Sequence, residues 1–270
     1  MTTREGLKQG SLACHGLSAE KRALLNSKWI KYWDIIAGKL EGGIFVGEPI
    51  IEYLMSEGLL CGGTILDIGC GTGQYTIPFA KNSAKVTALD MSPKMIEVLR
   101  RRVDAEKSSH IEIVQAMWED YHTEEKFDMV FASMCPAVCD EESLLKMESL
   151  SSRWCVLIGP ALGSFAKNRT ELRAKLMEQK PKGLSPDPIH VFNYLYDAGR
   201  HPNMRSFTLS TKEEMTEDDA IHLFSTYYAI FGIEDERANL IIRDYVRANL
   251  LNGCFVNEQT MVNAVIWWAV

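Results

Sequence analysis

The sequence predicts an α/β fold, a mostly parallel sheet with helices on both faces. Three observations carry this expectation. Short apolar stretches alternate with helical ones from Thr64 onward, and right-handed crossovers turn such a rhythm into a parallel sheet. The strands read as near-continuous apolar runs, Ile65-Leu66 and Met129-Val130-Phe131, as strands buried on both sides do. The first strand ends in closely spaced glycines that lead into a helix.

Taken in order, residues 17–40 predict a helix, because Trp29, Tyr32, Trp33 and Ile36 recur at helical spacing. Gly42-Gly43 ends that pattern, and Glu48 to Glu57 predicts a second helix ahead of Gly58. Thr64 to Ile68 is a strand, followed by the glycine loop and a helix from about Tyr75 to Asn82. Lys85 to Leu89 is the next strand. Ser92 can cap the following helix with Pro93 at its first position, and that helix runs to about Glu106. Ile111 to Gln115, Phe127 to Ala132 and Trp154 to Ile158 complete five strands. Beyond Pro160 the alternation loosens into helices near 168–180, 187–199, 217–231 and 234–250. Two further strands are expected, at Ser206 to Ser210 and Val262 to Ala269. The segment Lys180-Pro181-Lys182-Gly183 reads as a loop. The domain reading is an N-terminal helical cap over 1–57 and one domain over 58–270. That domain carries a helical insert or lid at about 163–202 and further helices at about 217–250.

With 270 residues, 46% hydrophobic and 24% charged, the chain can bury a sizeable core. Its 29 Lys+Arg against 36 Asp+Glu give a net charge of −7, which argues against a phosphate-rich partner such as DNA or RNA. No run approaches the roughly 18 apolar residues that a membrane helix needs, and the first residues lack the apolar core of a signal peptide. Seven scattered cysteines therefore read as reduced thiols of a cytoplasmic protein.

The informative stretch is Asp67-Ile68-Gly69-Cys70-Gly71-Thr72-Gly73-Gln74. Glycines at a strand-to-helix turn let a ligand approach the backbone closely. The dinucleotide pattern would need glycine where Gln74 stands, and here the third glycine is Gly73. Asp67 ahead of the loop would repel a pyrophosphate and attract a ligand that carries ammonium and sulfonium groups. The second strand ends in Asp90, placed to accept hydrogen bonds from both hydroxyls of a ribose.

On these residues the chain resembles the class I S-adenosylmethionine-dependent methyltransferases. The matching pieces are the acid-plus-glycine loop (Asp67, Gly69, Gly71, Gly73), the turn Asp90-Met91-Ser92-Pro93-Lys94-Met95 and the phrase Lys126-Phe127-Asp128-Met129-Val130. The resemblance implies a Rossmann-like, seven-stranded sheet whose last strand, Val262 to Ala269, is antiparallel. It implies S-adenosyl-L-methionine as cofactor, with the glycine loop at its methionine part, Asp90 on the ribose and Met91 on the adenine. Family members often carry Gly-Asp after the third strand; here the pair is Ala116-Met117, so Met117, Trp118 or Glu119 takes over the adenine contact. Tyr32 or Trp33 on the N-terminal helix and Ser133 at the end of the fourth strand complete the expected cofactor contacts.

The acceptor is less legible. The loop Ser133 to Val138 follows the fourth strand and is expected to open beside the reactive methyl, with Cys135 at the pocket floor. Cys135 and Cys139 lack further thiols nearby, which argues against a metal or metalloid site. His190, Tyr194, Tyr196 and His201 cluster in the insert, and His190, Tyr194 and His201 are candidates for its roof. A histidine there could deprotonate an acceptor hydroxyl. The expected activity is methyl transfer to a small-molecule acceptor. The alternatives are an NAD-dependent oxidoreductase, which Gln74 and Asp67 disfavour, and a binding module that senses the cofactor without transfer.

Overall fold

The computed structural model describes residues 19–40, 47–161, 165–177 and 187–270. The Gly42-Gly43 break, the Lys180–Gly183 loop and the outer ends of two expected helices lie outside the described residues. Helix α1 (Ala19–Leu40) and helix α2 (Glu48–Ser56) precede the sheet. The parallel part then follows as β1 (Thr64–Ile68), α3 (Thr76–Ala80), β2 (Lys85–Asp90), α4 (Pro93–Glu106), β3 (Ile111–Gln115), β4 (Phe127–Ser133), α5 (Glu141–Leu150) and β5 (Ser151–Pro160). The rest comprises β6 (Phe165–Ala166), α6 (Lys167–Leu176), α7 (Pro188–Asp197), β7 (Asn203–Met215), α8 (Glu217–Ala229), α9 (Glu236–Ala248), β8 (Leu250–Leu251) and β9 (Cys254–Ala269).

The strand order is β3-β2-β1-β4-β5-β9, with β7 on the far side of β9. Strands β1 to β5 pair in parallel, whereas β9 runs antiparallel to β5, from Trp154↔Ala269 to Pro160↔Asn263. This is the expected seven-stranded pattern. Two-residue strands β6 and β8 add to β9, so the sheet counts nine strands among the described residues.

Period-two alternation sends neighbouring residues of each strand to opposite faces. Leu66, Val130 and Ala132 join α5 and α7 in one apolar cluster, while Ile65, Met129 and Phe131 join α2 and α3 in another. The double burial explains the apolar runs of β1 and β4. A third cluster, among Trp29, Leu172, Phe224, Tyr228, Ile242, Tyr245 and Phe255, ties α1, α6, α8 and α9 to the outer part of β9.

Three features depart from expectation. Helix α5 fell in a stretch with no expected element, although it carries a capping box: Asp140 accepts from Ser143 N at 2.8 Å, and Ser143 Oγ accepts from Asp140 N at 3.0 Å. Strands β7 and β9 are both much longer than expected, pairing from Asn203↔Trp267 to Met215↔Phe255. Their charged halves resemble loop in isolation, but cross-strand partners such as Lys212 and Glu258, 3.5 Å apart, sustain the ladder. The all-thiol reading also fails at Cys139, which is disulfide-bonded, while Cys61, Cys70, Cys135, Cys155 and Cys254 are free. No helix among the described residues is long and apolar enough to cross a membrane.

Candidate functional site

Strand β1 delivers the chain to Gly69, whose φ of +69° lies in the left-handed region. A Cβ there would stand 2.8 Å from Cys135 Sγ, so only glycine lets the β4 loop close against it. At Gly71, with φ +55°, an added Cβ would meet nothing nearer than Met95 Sδ at 3.8 Å, which leaves that face open to a ligand. The loop is fastened to the end of β2: Gly69 N and Cys70 N both donate to Leu89 O, at 2.8 and 3.0 Å.

Asp90 completes that fastening. Its Oδ2 accepts from Gly71 N at 2.9 Å and its Oδ1 from Ser92 N at 2.8 Å. Burial pushes its carboxyl above the usual range, while backbone donors from Ser92, Gly71 and Met91 pull it back. A carboxylate has about four acceptor positions, so two bonds leave capacity for a diol. Ser92 caps α4 by accepting from Met95 N, and its hydroxyl donates to Asp34 of α1 at 2.7 Å. The cap therefore also anchors the N-terminal helix over the site.

Asp67 is 2% exposed and accepts from Thr76 Oγ1 at 2.6 Å. Burial raises its carboxyl to about 7; the Thr76 hydroxyl opposes this and the Asp90 charge adds to it. A cation bound nearby would favour the ionised form. The Cys135 thiol is pushed up to about 12, chiefly by burial, so it is protonated at neutral pH. Among the described residues no cluster of His, Cys, Asp or Glu could hold a metal ion.

These elements surround a cavity of about 350 Å³ at the carboxyl ends of the parallel strands. Of the residues expected at the cofactor, Asp67, Gly69, Gly71, Asp90, Met91, Trp118 and Ser133 line it, and Cys135 lies beside them. Gly73, Tyr32 and Met117 are not among its lining residues. Gly73 instead passes beneath Leu99 of α4. Tyr32 turns away into the helical cluster, where its hydroxyl accepts from Arg169 Nη2 at 2.6 Å, and Trp29 and Trp33 of the same helix face the cavity. Met117 Sδ accepts from Asn26 Nδ2 at 3.3 Å, and Glu119 joins Trp118 in the wall.

The expected roof is corrected. His190, Tyr194 and His201 do not line the cavity. Helix α7 packs against one face of the sheet through Val191, Tyr194 and Leu195, and the Tyr194 hydroxyl donates to Glu141 at 3.2 Å. His201 is exposed and lies just before Asn203, which through Trp267 aligns with Val156. That register puts His201 toward the amino ends of the parallel strands, away from the cavity. The wall comes instead from the antiparallel pair β7–β9: Leu209 and Thr211 opposite Met261 and Gln259, with Asn263 one step further along the same face. Alternation at 209/211 and 259/261/263 was the available signal, but it has meaning only once the two strands are paired.

Residues 65–153 match the family model described as a methyltransferase domain. Over this stretch the chain has the sequence pattern of a methyltransferase domain. This stretch is 37% identical over 73 residues to a probable ribosomal RNA small subunit methyltransferase A of Methanosphaera stadtmanae, covering 26% of each protein. It is 33% identical over 95 residues to a malonyl-[acyl-carrier protein] O-methyltransferase of Paenibacillus sp., covering 33% of this chain and 34% of that protein. The chain thus spans only about a quarter to a third of these two relatives' lengths. An uncharacterized protein of Haemophilus influenzae matches over 88% of both chains at 23% identity. Among solved structures, the YcgJ protein of Bacillus subtilis superposes with a TM-score of 0.51 at 12% identity, covering 82% of this chain and 98% of that one. The DhpI–SAH complex gives 0.52 at 16% identity, covering 67% and 90%. These likenesses extend the shared fold beyond the matched segment.

Proposed function

We propose that the protein transfers a methyl group from S-adenosylmethionine to a small-molecule acceptor, both held in the cavity at the carboxyl ends of β1, β2 and β4. The observation that carries this reading is the convergence of Asp67, the open backbone of Gly71 and the half-satisfied carboxylate of Asp90 on one space. In this reading Asp90 holds the ribose hydroxyls. Asp67 and the glycine loop receive the cationic methionine end. Met91 and Trp118 flank the adenine, while Ser133 borders the reacting end. Helix α1, with Trp29 and Trp33, serves as the cap that keeps water out.

When bound, the cofactor supplies a methyl carbon already activated by its sulfonium. The residues around it contribute alignment, which is worth several kcal/mol when geometry is held. The relatives named for malonyl-[acyl-carrier protein] and for ubiquinone biosynthesis support a small acceptor group. One named for ribosomal RNA points elsewhere, but a net charge of −7 disfavours a nucleic acid here. Titration calorimetry is expected to show S-adenosylmethionine binding in the micromolar range, about −8 kcal/mol. Binding of NAD with equal or greater strength would refute the reading.

A further inference from the structure

We propose that the methyl acceptor is a small amine on an apolar body, its N–H held by the Asn263 side chain on β9. The inference rests on the S-adenosylmethionine reading above and adds the substrate class. Asn263 borders the cavity, is 5% exposed, and its Oδ1 has no hydrogen-bond partner. A buried acceptor without a donor is unfavourable, and the missing partner must bring an N–H or O–H. A carboxylate or phosphate group brings none.

Charge selects between the remaining possibilities. The ionisable carboxyls that line the cavity are Asp67, Asp90 and Glu119, and no Lys, Arg or His lines it among the described residues. An anionic acceptor would be buried against like charge with no counter-ion, whereas an amine meets favourable potential in either protonation state. Trp29 and Trp33, with rings stacked at 6.0 Å, add an aromatic wall that suits an apolar body and an ammonium alike.

The buried end of the cavity offers no ready base. Asp67 is engaged by Thr76, Asp90 by two backbone donors, and the Cys135 thiol is protonated, which leaves the exposed carboxylate of Glu119 in the wall. A hydroxyl acceptor needs its proton removed during attack, but a neutral amine carries its own lone pair. Its nitrogen gains the methyl carbon as the carbon–sulfur bond breaks, with the bonding pair staying on sulfur. The methylated ammonium then gives its proton to solvent.

The test uses the full chain saturated with S-adenosylhomocysteine, titrated with three probes of matched shape: phenethylamine, 3-phenylpropanol and 3-phenylpropionate. Ligand-observed NMR is expected to rank phenethylamine first, by about tenfold over the carboxylate. Asn263→Leu is expected to weaken phenethylamine about tenfold and to leave S-adenosylhomocysteine affinity unchanged. Asn263→Asp, which keeps the shape and adds charge, is expected to tighten phenethylamine and decides the matter if Asn263→Leu does not fold. The proposal is overturned if phenethylamine does not bind, if 3-phenylpropionate binds as tightly, or if neither variant changes amine affinity. If wild-type protein fails to bind S-adenosylhomocysteine in calorimetry, the parent reading has failed. If it binds and the amine does not, only the acceptor assignment falls.

Discussion

Replacing Asp90 with asparagine separates its two jobs. In the ligand-free site the carboxylate takes Gly71 N–H on one oxygen and Ser92 N–H on the other. Asparagine is nearly isosteric but offers one oxygen and one NH₂, so one of those backbone donors loses its acceptor. A buried donor left without a partner costs about 1–3 kcal/mol, a loss that a domain of ordinary stability survives with a lowered melting temperature. The second job, in the proposed function, is to hold the ribose. A charge-assisted hydrogen bond contributes about 1.5–3 kcal/mol against roughly 1 kcal/mol for a neutral one. Two such bonds weakened together put the expected loss of affinity at about 1–4 kcal/mol, or roughly 5- to 1000-fold in Kd. Titration calorimetry with S-adenosylhomocysteine reads the second effect, and a thermal melt of the ligand-free variant reads the first. A folded Asp90→Asn protein with wild-type affinity would show that the ribose does not lie on Asp90.

Four further outcomes follow from the same geometry. Because Asp67 is held at about 7, above its unfolded value of 3.8, its contribution to stability is fully present below about pH 4 and lost as pH rises through 7. Asp67→Asn should therefore raise the ligand-free melting temperature at pH 8, and an unchanged or lower value there would contradict the assignment. Since a cationic ligand favours the carboxylate, S-adenosylmethionine binding by wild-type protein should release protons near pH 7 and none at pH 9; calorimetry in buffers of different ionisation enthalpy measures this. Gly69→Ala places a methyl 2.8 Å from Cys135 Sγ at a left-handed φ, so it should destabilise more than Gly69→Ala/Cys135→Ala, which keeps only the backbone strain of about 1–2 kcal/mol. Equal melting temperatures for the two would show that the contact does not matter. Tyr194→Phe loses only its hydroxyl bond to Glu141, so cofactor affinity should not change, and a tenfold loss would restore α7 to the site.

The sequence made the cofactor end of the cavity legible because its determinants are local. Asp67, Gly69 and Gly71 lie within one turn, and their chemistry follows from residue type and spacing. Asp90 needed only the expectation that the next strand runs alongside. Between Tyr32 and Trp33 spacing could not choose, because Trp29, Tyr32 and Trp33 share one helical stripe and nothing local says which of them meets solvent, cavity or core. The structure resolves this through Arg169, whose guanidinium draws the Tyr32 hydroxyl into the helical cluster and leaves the tryptophans to the cavity.

The acceptor end was illegible for a different reason. Thr211 and Gln259 become neighbours only through an antiparallel register that joins distant parts of the chain, and a slip of one residue would turn the whole row to the other face. The local signals misled in the same region. Lys212, Glu213 and Glu214 look like a solvated turn, and the aromatic-rich stretch with His190, Tyr194 and His201 looks like a pocket wall. Yet α7 spends its apolar residues on the sheet beside α5, a role that the unexpected α5 makes available. The antiparallel pair β7–β9 continues past the carboxyl end of β5 and lays uncharged polar side chains along the cavity. If, as proposed, the glycine-loop end of the cavity holds the cofactor and the β7–β9 wall the acceptor, the acceptor can change without disturbing the cofactor. Acceptor selectivity should then respond to mutation most strongly at Thr211, Gln259 and Asn263.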